Sequence, residues 1–196
     1  MTDNFYTRHH LANAILQFTD GDVRILGTVR MNYVDSVNNG NVKKAVQLLK
    51  DQPHGTWYLI AAYNQDPNYN KEKKRQQAET RKRKKDGNDA NAPAFIPARG
   101  EKGKKAGYIV WLDSKPVIFY TNDLFCDVPE DIIPGTSDEA VKCVHGLVDI
   151  KRWLGSESFP RTTFKAPAIV VAYNYFMNGV DRMDQQRAVN PTKRKG

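Results

Sequence analysis

Two carboxylates near the C-terminus, Asp181 and Asp184, have a spacing that could serve a bound cation. On a helix, residues three apart share a face, with about 5–6 Å between their Cβ atoms. Like charges at that distance repel each other unless a cation lies between them. The preceding Asn178-Gly179 predicts a break in the chain before a new helical turn. An ordinary acidic pair in the first turn of a helix, favoured by the helix dipole, explains the same spacing.

The elements that must position this pair are predicted from hydrophobic periodicity. Residues 168–177 read as a helix that leads into the acidic pair. Before it, Ser137 predicts the N-cap of another helix. The apolar residues of that second helix are Val141, Val144, Leu147 and Val148. Residues 127–134 are predicted to form a loop.

The first 52 residues predict two helices and a strand. The first helix follows a predicted N-cap at Thr7, and the strand covers 23–30, where β-branched residues alternate with others. A turn is predicted at 38–40, before a short amphipathic helix. The apolar face of the first helix consists of Leu11, Ala14, Ile15 and Phe18, and that of the second consists of Val42, Ala45, Val46 and Leu49. The adjacent His9 and His10 point in different directions on a helix, so we expect an exposed polar pair.

The middle of the chain predicts a small sheet. Residues 56–63 are aromatic and β-branched, which favours a strand. Residues 108–112 and 117–121, joined by a turn at 113–116, form the clearest hairpin of the sequence. We expect this hairpin to pair with the strand at 56–63.

Positive charge is concentrated between these strands. The chain has a net charge of +8, and residues 71–105 hold thirteen Lys or Arg and five Asp or Glu, so the rest of the chain is neutral. Such a segment, with few apolar residues, predicts a disordered or partly helical excursion over 64–107. Two basic clusters could contact DNA phosphates or serve as a bipartite nuclear-import signal, and a solvated charged loop is the simpler alternative. The residues of these clusters are Lys73, Lys74, Arg75, Arg81, Lys82, Arg83, Lys84 and Lys85.

Other features of the composition limit the class of protein. Mean hydropathy is −0.65, and no apolar run approaches the roughly 20 residues of a membrane helix. No signal-peptide pattern opens the chain, so the expected compartment is intracellular. Two cysteines, Cys126 and Cys143, provide no disulfide framework and fit a reducing compartment.

Three short motifs together resemble the piggyBac family of DNA transposases. They are DNFYT at residues 3–7, LGTVR at 26–30, and the pattern YNxxxxGVDxxDQ that begins at residue 173. They occur in the family's order and lie near both ends of the chain. The middle of the chain is poorly matched.

The resemblance implies a fold, a chemistry and a set of site residues. Family members carry three catalytic aspartates on a ribonuclease H-like fold, and Asp3 matches the second, Asp181 the third, and Asp184 the further aspartate of the last motif. Two Mg²⁺ ions held by such carboxylates activate the nucleophile and stabilise the leaving oxygen in DNA cleavage and strand transfer. Asp3 and Asp181 are therefore the implied metal ligands. The first catalytic aspartate has no counterpart here.

From these matches we expect an α/β chain with an incomplete ribonuclease H-like core. The partial core covers 1–52, a β-rich insertion with the basic loop 64–107 covers 53–134, and a helical return to the core covers 135–196. The expected function is that of a fragment or remnant of a transposase, which binds DNA in the nucleus and is catalytically incomplete alone. Nuclear-import receptors and a second copy of the chain are further candidate partners, and no membrane is expected. An enzyme completed by another chain and a domesticated protein-interaction module without DNA chemistry are the alternatives.

Overall fold

The computed structural model describes residues 8–85, 99–152 and 161–177. Along the chain the elements are α1 (His9–Phe18), β1 (Leu26–Thr28), a 3₁₀ turn (Met31–Tyr33), α2 (Ser36–Leu48), β2 (Trp57–Gln65), α3 (Tyr69–Lys85), β3 (Arg99–Leu112), β4 (Pro116–Thr121), β5 (Ile132–Pro134), α4 (Asp138–Cys143), β6 (Leu147–Arg152), β7 (Thr162–Pro167) and α5 (168–177).

Among the described residues, five antiparallel strands form the central sheet, in the order β1-β4-β3-β2-β5. The predicted hairpin is confirmed as β3 and β4, and it pairs with β2 as expected. β3 begins earlier than predicted, at Arg99, because its polar first half also pairs with the end of β2. The register shifts twice in this part, and it places Tyr63 opposite Lys102 and Gln65 opposite Arg99. The short strand β5, inside the predicted loop, adds the other edge.

Helices cover both faces of this sheet. On one face α1 and α2 pack over Ile60, Tyr108 and Tyr120. On the other face α4 and α5 pack over Trp57, Ile109 and the rest of a second cluster. The predicted α/β class is therefore confirmed. A ribonuclease H-like core, and the three-part division of the chain, stay predictions.

The face of α1 that meets the sheet differs from the predicted face. Phe18 is 91% exposed and Leu11 is 38% exposed, whereas His9 and Ala12 are buried. Burial of His9 is stabilised by hydrogen bonds of its ring to the Tyr120 hydroxyl and to Asn64, each at 2.8 Å. The expected exposed histidine pair was therefore wrong for His9.

The turn predicted at 38–40 lies inside α2. Asn38 is buried there, and its amide group makes two hydrogen bonds with the backbone of Tyr63: it donates to the carbonyl at 2.9 Å and accepts from the N–H at 2.8 Å. This pairing to β2 offsets the weak helix preference of asparagine. The predicted apolar contacts of α2 through Val42, Ala45 and Leu49 are confirmed.

The helix predicted after Ser137 is shorter than expected. It ends at Cys143, and the chain then reverses through His145 and Gly146, which have φ angles of +62° and +87°. Leu147, predicted as helical, opens β6, which pairs with β7. The longer helix was wrong because apolar spacing alone does not report the left-handed turn.

The two cysteines form a disulfide, with 4.9 Å between the Cα atoms of Cys126 and Cys143. This bond corrects the expectation that two cysteines would give no disulfide. It ties the loop after β4 to the C-terminal end of α4, where the Phe125 N–H also donates to the Cys143 carbonyl at 2.8 Å. Among the helices of the described ranges, none has the length and apolar character needed to cross a membrane.

Candidate nucleic-acid interface

The basic segment is built around α3, which connects the neighbouring strands β2 and β3. Its 17 residues make a rod about 25 Å long. Nine of them are Lys or Arg and two are Glu, so α3 carries +7 of the chain's net +8. Of the two alternatives for 64–107, the partly helical one describes this part of the segment. Residues 86–98 lie outside the described ranges.

Beyond its first turn, the described side chains of α3 are mostly exposed to solvent. From Lys71 to Lys82 every residue is exposed except Thr80, whose hydroxyl donates to the Gln76 carbonyl at 2.9 Å. Within that stretch the described ion pair is Arg75 with Glu79, at 3.6 Å, between two mostly exposed groups. Such a pair contributes little and leaves most of the charge available to a partner.

Predicted contact residues are brought together on this one helix. Lys73, Lys74, Arg75, Arg81 and Lys82 are all exposed on α3. Arg83, Lys84 and Lys85 belong to its last turn. The two basic clusters of the sequence therefore belong to one helix.

The first turn of α3 attaches to the fold through Tyr69, which is 7% exposed. The Ser36 hydroxyl, at the start of α2, donates to the Tyr69 hydroxyl at 3.0 Å. The Tyr69 N–H donates to the Asp66 carbonyl at 2.9 Å, which closes the turn between β2 and α3. Lys73 lies over the Tyr69 ring, 5.6 Å from its centre.

A second attachment joins the ends of β2 and β3. Asp131 accepts hydrogen bonds from the Tyr63 hydroxyl and from the Arg99 guanidinium, each at 2.5 Å, and Arg99 also stacks 5.0 Å over the Tyr63 ring. Partial burial of Asp131 disfavours its charge, but the bonds from Tyr63 and Arg99 outweigh this effect and lower the pKa of Asp131. The same bond to Asp131 raises the pKa of Tyr63. This clamp fixes the strand to which the chain returns after α3.

Sequence reasoning did not identify the clamp. Tyr63, Arg99 and Asp131 are separated by more than thirty residues from one another in sequence. None of the three belongs to a motif or a charge cluster. Only the pairing of β2 with β3 and β5 brings them together.

A buried polar cluster around His9 was also missed. His9 Nε2 faces the Asn64 amide oxygen, so this nitrogen donates, and Nδ1 accepts from the Tyr120 hydroxyl. Burial lowers the pKa of His9, which favours this neutral form. With His9 1% exposed, the cluster is closed to a substrate and serves to hold α1 on the sheet.

The implied catalytic residues Asp3, Asp181 and Asp184 lie outside the described ranges. Mg²⁺ therefore stays a prediction from the resemblance. Over residues 8–85, 99–152 and 161–177, no group of three or more His, Cys, Asp or Glu side chains has an arrangement that could hold a metal ion.

A scan of the chain against protein-family models gave no match, and searches among curated proteins and among solved structures gave none either.

Proposed function

We propose that this chain is a piece of a piggyBac-like DNA transposase and that it binds DNA through α3. The observation that carries the proposal is the location of the charge, since +7 of the net +8 lies on one helix, on which every charged side chain from Lys71 to Lys82 is exposed. Support for the family comes from the three sequence motifs that contain Asp3, the segment 26–30 and Asp181. The proposal does not include DNA cleavage by this chain alone, because the motifs match two of the three family aspartates.

The expected affinity is electrostatic and therefore depends on salt. Each phosphate contact releases counterions from B-DNA and adds about −0.9 to the slope of log K against log [salt]. Five contacts, from the five described cations of the predicted clusters, give a slope of about −4.5. Affinity should then fall about 500-fold between 50 and 200 mM NaCl.

The test compares two triple variants with the same change of net charge. Lys73, Lys74 and Lys82 are changed to Gln on α3. As the control, the exposed Lys43 and Lys44 of α2 and the exposed Lys50 just after it are changed to Gln. Binding to a 20-base-pair duplex is measured by fluorescence anisotropy over a NaCl series. We expect the α3 variant to lose about 2.7 from the slope and the control to keep the parent slope.

Equal loss in both variants would show that net charge, not α3, governs binding. An unchanged slope in the α3 variant would refute the interface.

Nuclear localisation belongs to the same proposal, because the basic residues of α3 also resemble a bipartite import signal. A fluorescent fusion of the chain should accumulate in nuclei, and a fusion carrying the α3 triple substitution should not. Equal nuclear fluorescence of the two fusions would remove this part of the proposal.

The second candidate is a protein-interaction module without DNA chemistry. Large apolar side chains in solvent favour it, with Phe18 91%, Tyr175 76% and Phe176 60% exposed. This candidate predicts a stably folded chain with no affinity for duplex DNA at 50 mM NaCl. The anisotropy series therefore separates the two functions.

A further inference from the structure

Charge is unevenly distributed around the axis of α3. Successive residues of an α-helix lie about 100° apart around its axis, so the sequence gives the position of each side chain around the helix. Over residues 71–82, the half of α3 centred on Ala78 holds five cations and no acid, and the other half holds one cation and two acids. The first half is the cationic face of α3. Its cations are Lys71, Lys74, Arg75, Arg81 and Lys82, and the charged residues of the other half are Glu72, Lys73 and Glu79.

Ala78 is the centre of the cationic face. Residues three and four apart are neighbours on a helix surface, so Lys74 and Arg75 adjoin Ala78 toward the N-terminus. In the same way, Arg81 and Lys82 adjoin it toward the C-terminus. Residues seven apart lie nearly in line, so Lys74 and Arg81 form one row and Arg75 and Lys82 form a second row. The two rows extend for about 12 Å along the helix axis, with only the methyl group of Ala78 between them.

The cationic face points away from the attachment of α3 to the fold. Tyr69, which is 7% exposed, holds the first turn of the helix through the hydroxyl of Ser36. Tyr69 and Ala78 are about two and a half turns apart, so their side chains lie on opposite sides of the helix. Every residue from 71 to 82 except Thr80 is exposed, so within the described ranges nothing covers the cationic face.

The charge of this face determines what can cover it. Burying a charged side chain without a partner has a large free-energy cost, so an apolar or neutral part of a larger fold does not suit the cationic face. Its cations also repel each other at spacings of three and four residues, and an anionic partner removes that repulsion. Nucleic acids offer such anions as two continuous rows of phosphates, one on each strand of a duplex.

The shape of α3 selects among nucleic acids. A helix with its side chains is about 10–12 Å across, which matches the width of about 12 Å of the major groove of B-form DNA. The minor groove is about 6 Å wide, and the major groove of an RNA duplex is deep and narrow, so neither admits the helix. Single strands are bound by stacking of bases on aromatic side chains, and residues 71–85 include no aromatic residue.

We propose that α3 lies in the major groove of B-form duplex DNA, with Ala78 toward the base pairs and one row of cations toward each phosphate backbone. The inference rests on the function proposed above and adds the form of the nucleic acid and the orientation of the helix. Lys74 and Arg81 bind phosphates of one strand, and Arg75 and Lys82 bind phosphates of the other. The small side chain of Ala78 lets the helix approach the floor of the groove.

Two single variants place the same new charge on opposite sides of α3. Ala78→Glu introduces a carboxylate between the two rows, and Gln76→Glu introduces one about 160° away around the helix axis. Both positions are exposed, and glutamate is a good helix former. Binding to the 20-base-pair duplex is measured by fluorescence anisotropy at 50 mM NaCl. We expect Ala78→Glu to weaken binding by at least about tenfold, because its carboxylate meets the phosphates, and Gln76→Glu to weaken binding by less than about threefold.

The groove is tested with the parent chain. A duplex of the same sequence is prepared with glucosylated 5-hydroxymethylcytosine, whose neutral sugars fill the major groove and leave the phosphate charge unchanged. We expect the chain to bind this duplex at least about tenfold more weakly than the unmodified one. An RNA duplex and a single DNA strand of the same sequence should also bind at least about tenfold more weakly.

The inference is supported if Ala78→Glu and the glucosylated duplex both lower the affinity and Gln76→Glu, with the circular dichroism spectrum of the parent, does not. It is overturned if the two variants bind DNA alike, if the glucosylated duplex binds like the unmodified one, or if the RNA duplex or the single strand binds as tightly as duplex DNA. Should Ala78→Glu alter the circular dichroism spectrum, the glucosylated duplex decides the question on the parent chain.

The same measurements separate this inference from the proposed function. If groove insertion is overturned while the triple variant of α3 still loses salt slope, then α3 binds DNA in another orientation and the proposed function stands. A parent chain with no affinity for duplex DNA at 50 mM NaCl would overturn both.

Discussion

Gly135 lies so close to the indole of Trp57 that a methyl group at this position has no room. A Cβ at residue 135 would lie 2.3 Å from Cε2 of Trp57, 2.4 Å from Cδ2 and 2.5 Å from Nε1. Carbon atoms in contact are normally about 3.5–4.0 Å apart, so the ring or the chain would have to move by more than about 1 Å. We therefore predict that Gly135→Ala destabilises the fold.

The magnitude follows from how firmly Trp57 is held. Its side chain is 4% exposed in the core cluster, and its backbone carbonyl accepts from the Gly135 N–H at 2.9 Å. Overpacking of a well-filled core costs about 1–3 kcal/mol. Because the Trp57 ring is rigid and buried in the core, we expect Gly135→Ala to lower the free energy of unfolding by about 3 kcal/mol, at the upper end of this range. For a chain of this length, that loss lowers Tm by roughly 6–12 °C.

The matched control is Gly40→Ala. Gly40 lies exposed in α2, with no atom within 4 Å of an added Cβ. The same substitution there should stabilise the fold by about 0.5–1 kcal/mol, because glycine is a poor helix former. Urea unfolding followed by tryptophan fluorescence measures both variants. If Gly135→Ala unfolds at the parent midpoint or above it, the packing of Gly135 on Trp57 is refuted.

Three further predictions concern titration and the disulfide. Burial lowers the pKa of His9, so the contribution of His9 to stability is complete above its ordinary pKa of 6.5 and is lost as the pH falls below that value. Urea unfolding midpoints measured from pH 8 to pH 5 should show this decline. The His9→Gln variant should show a smaller decline over the same range. Tyr63→Phe removes a hydrogen bond to Asp131 and should lower the free energy of unfolding by about 1 kcal/mol. The pKa of Asp131, measured by NMR, should rise in this variant, and an unchanged pKa would refute the clamp. Reduction of the Cys126–Cys143 bond, which spans 17 positions, should lower the free energy of unfolding by about 3 kcal/mol; equal urea midpoints with and without reductant would contradict a stabilising bond.

Local patterns of the sequence identified the elements whose stability is local. The two apolar runs at 108–112 and 117–121, joined by a turn, predicted the second half of β3 and β4, and the spacing of Val42, Ala45 and Leu49 predicted the buried face of α2. In both cases most of the side chains that define the pattern are buried in the core. The sequence signal and the packing therefore coincide.

Elsewhere, distant partners decide the structure. His9 is held in the core by hydrogen bonds to Asn64, which is 55 positions away, and to Tyr120, which is 111 positions away. With His9 on the inner face of α1, Phe18 lies in solvent. Asn38, a typical turn residue, stays in a helix because it bonds the backbone of Tyr63. A periodicity counts apolar residues along the chain, but it contains no information about which polar group has a partner across the sheet.

The candidate interface combines both kinds of information. Composition located the charge of α3, but it did not provide a reason for this charge to form a helix, since cations three and four residues apart, such as Lys71 with Lys74 and Arg75, repel each other. An isolated helix of 17 residues is marginal in water even without that repulsion. The structure attaches the first turn of α3 to the fold through Tyr69, and Arg99 and Asp131 hold the start of β3. Because its first turn is fixed on the fold in this way, α3 is not an isolated helix.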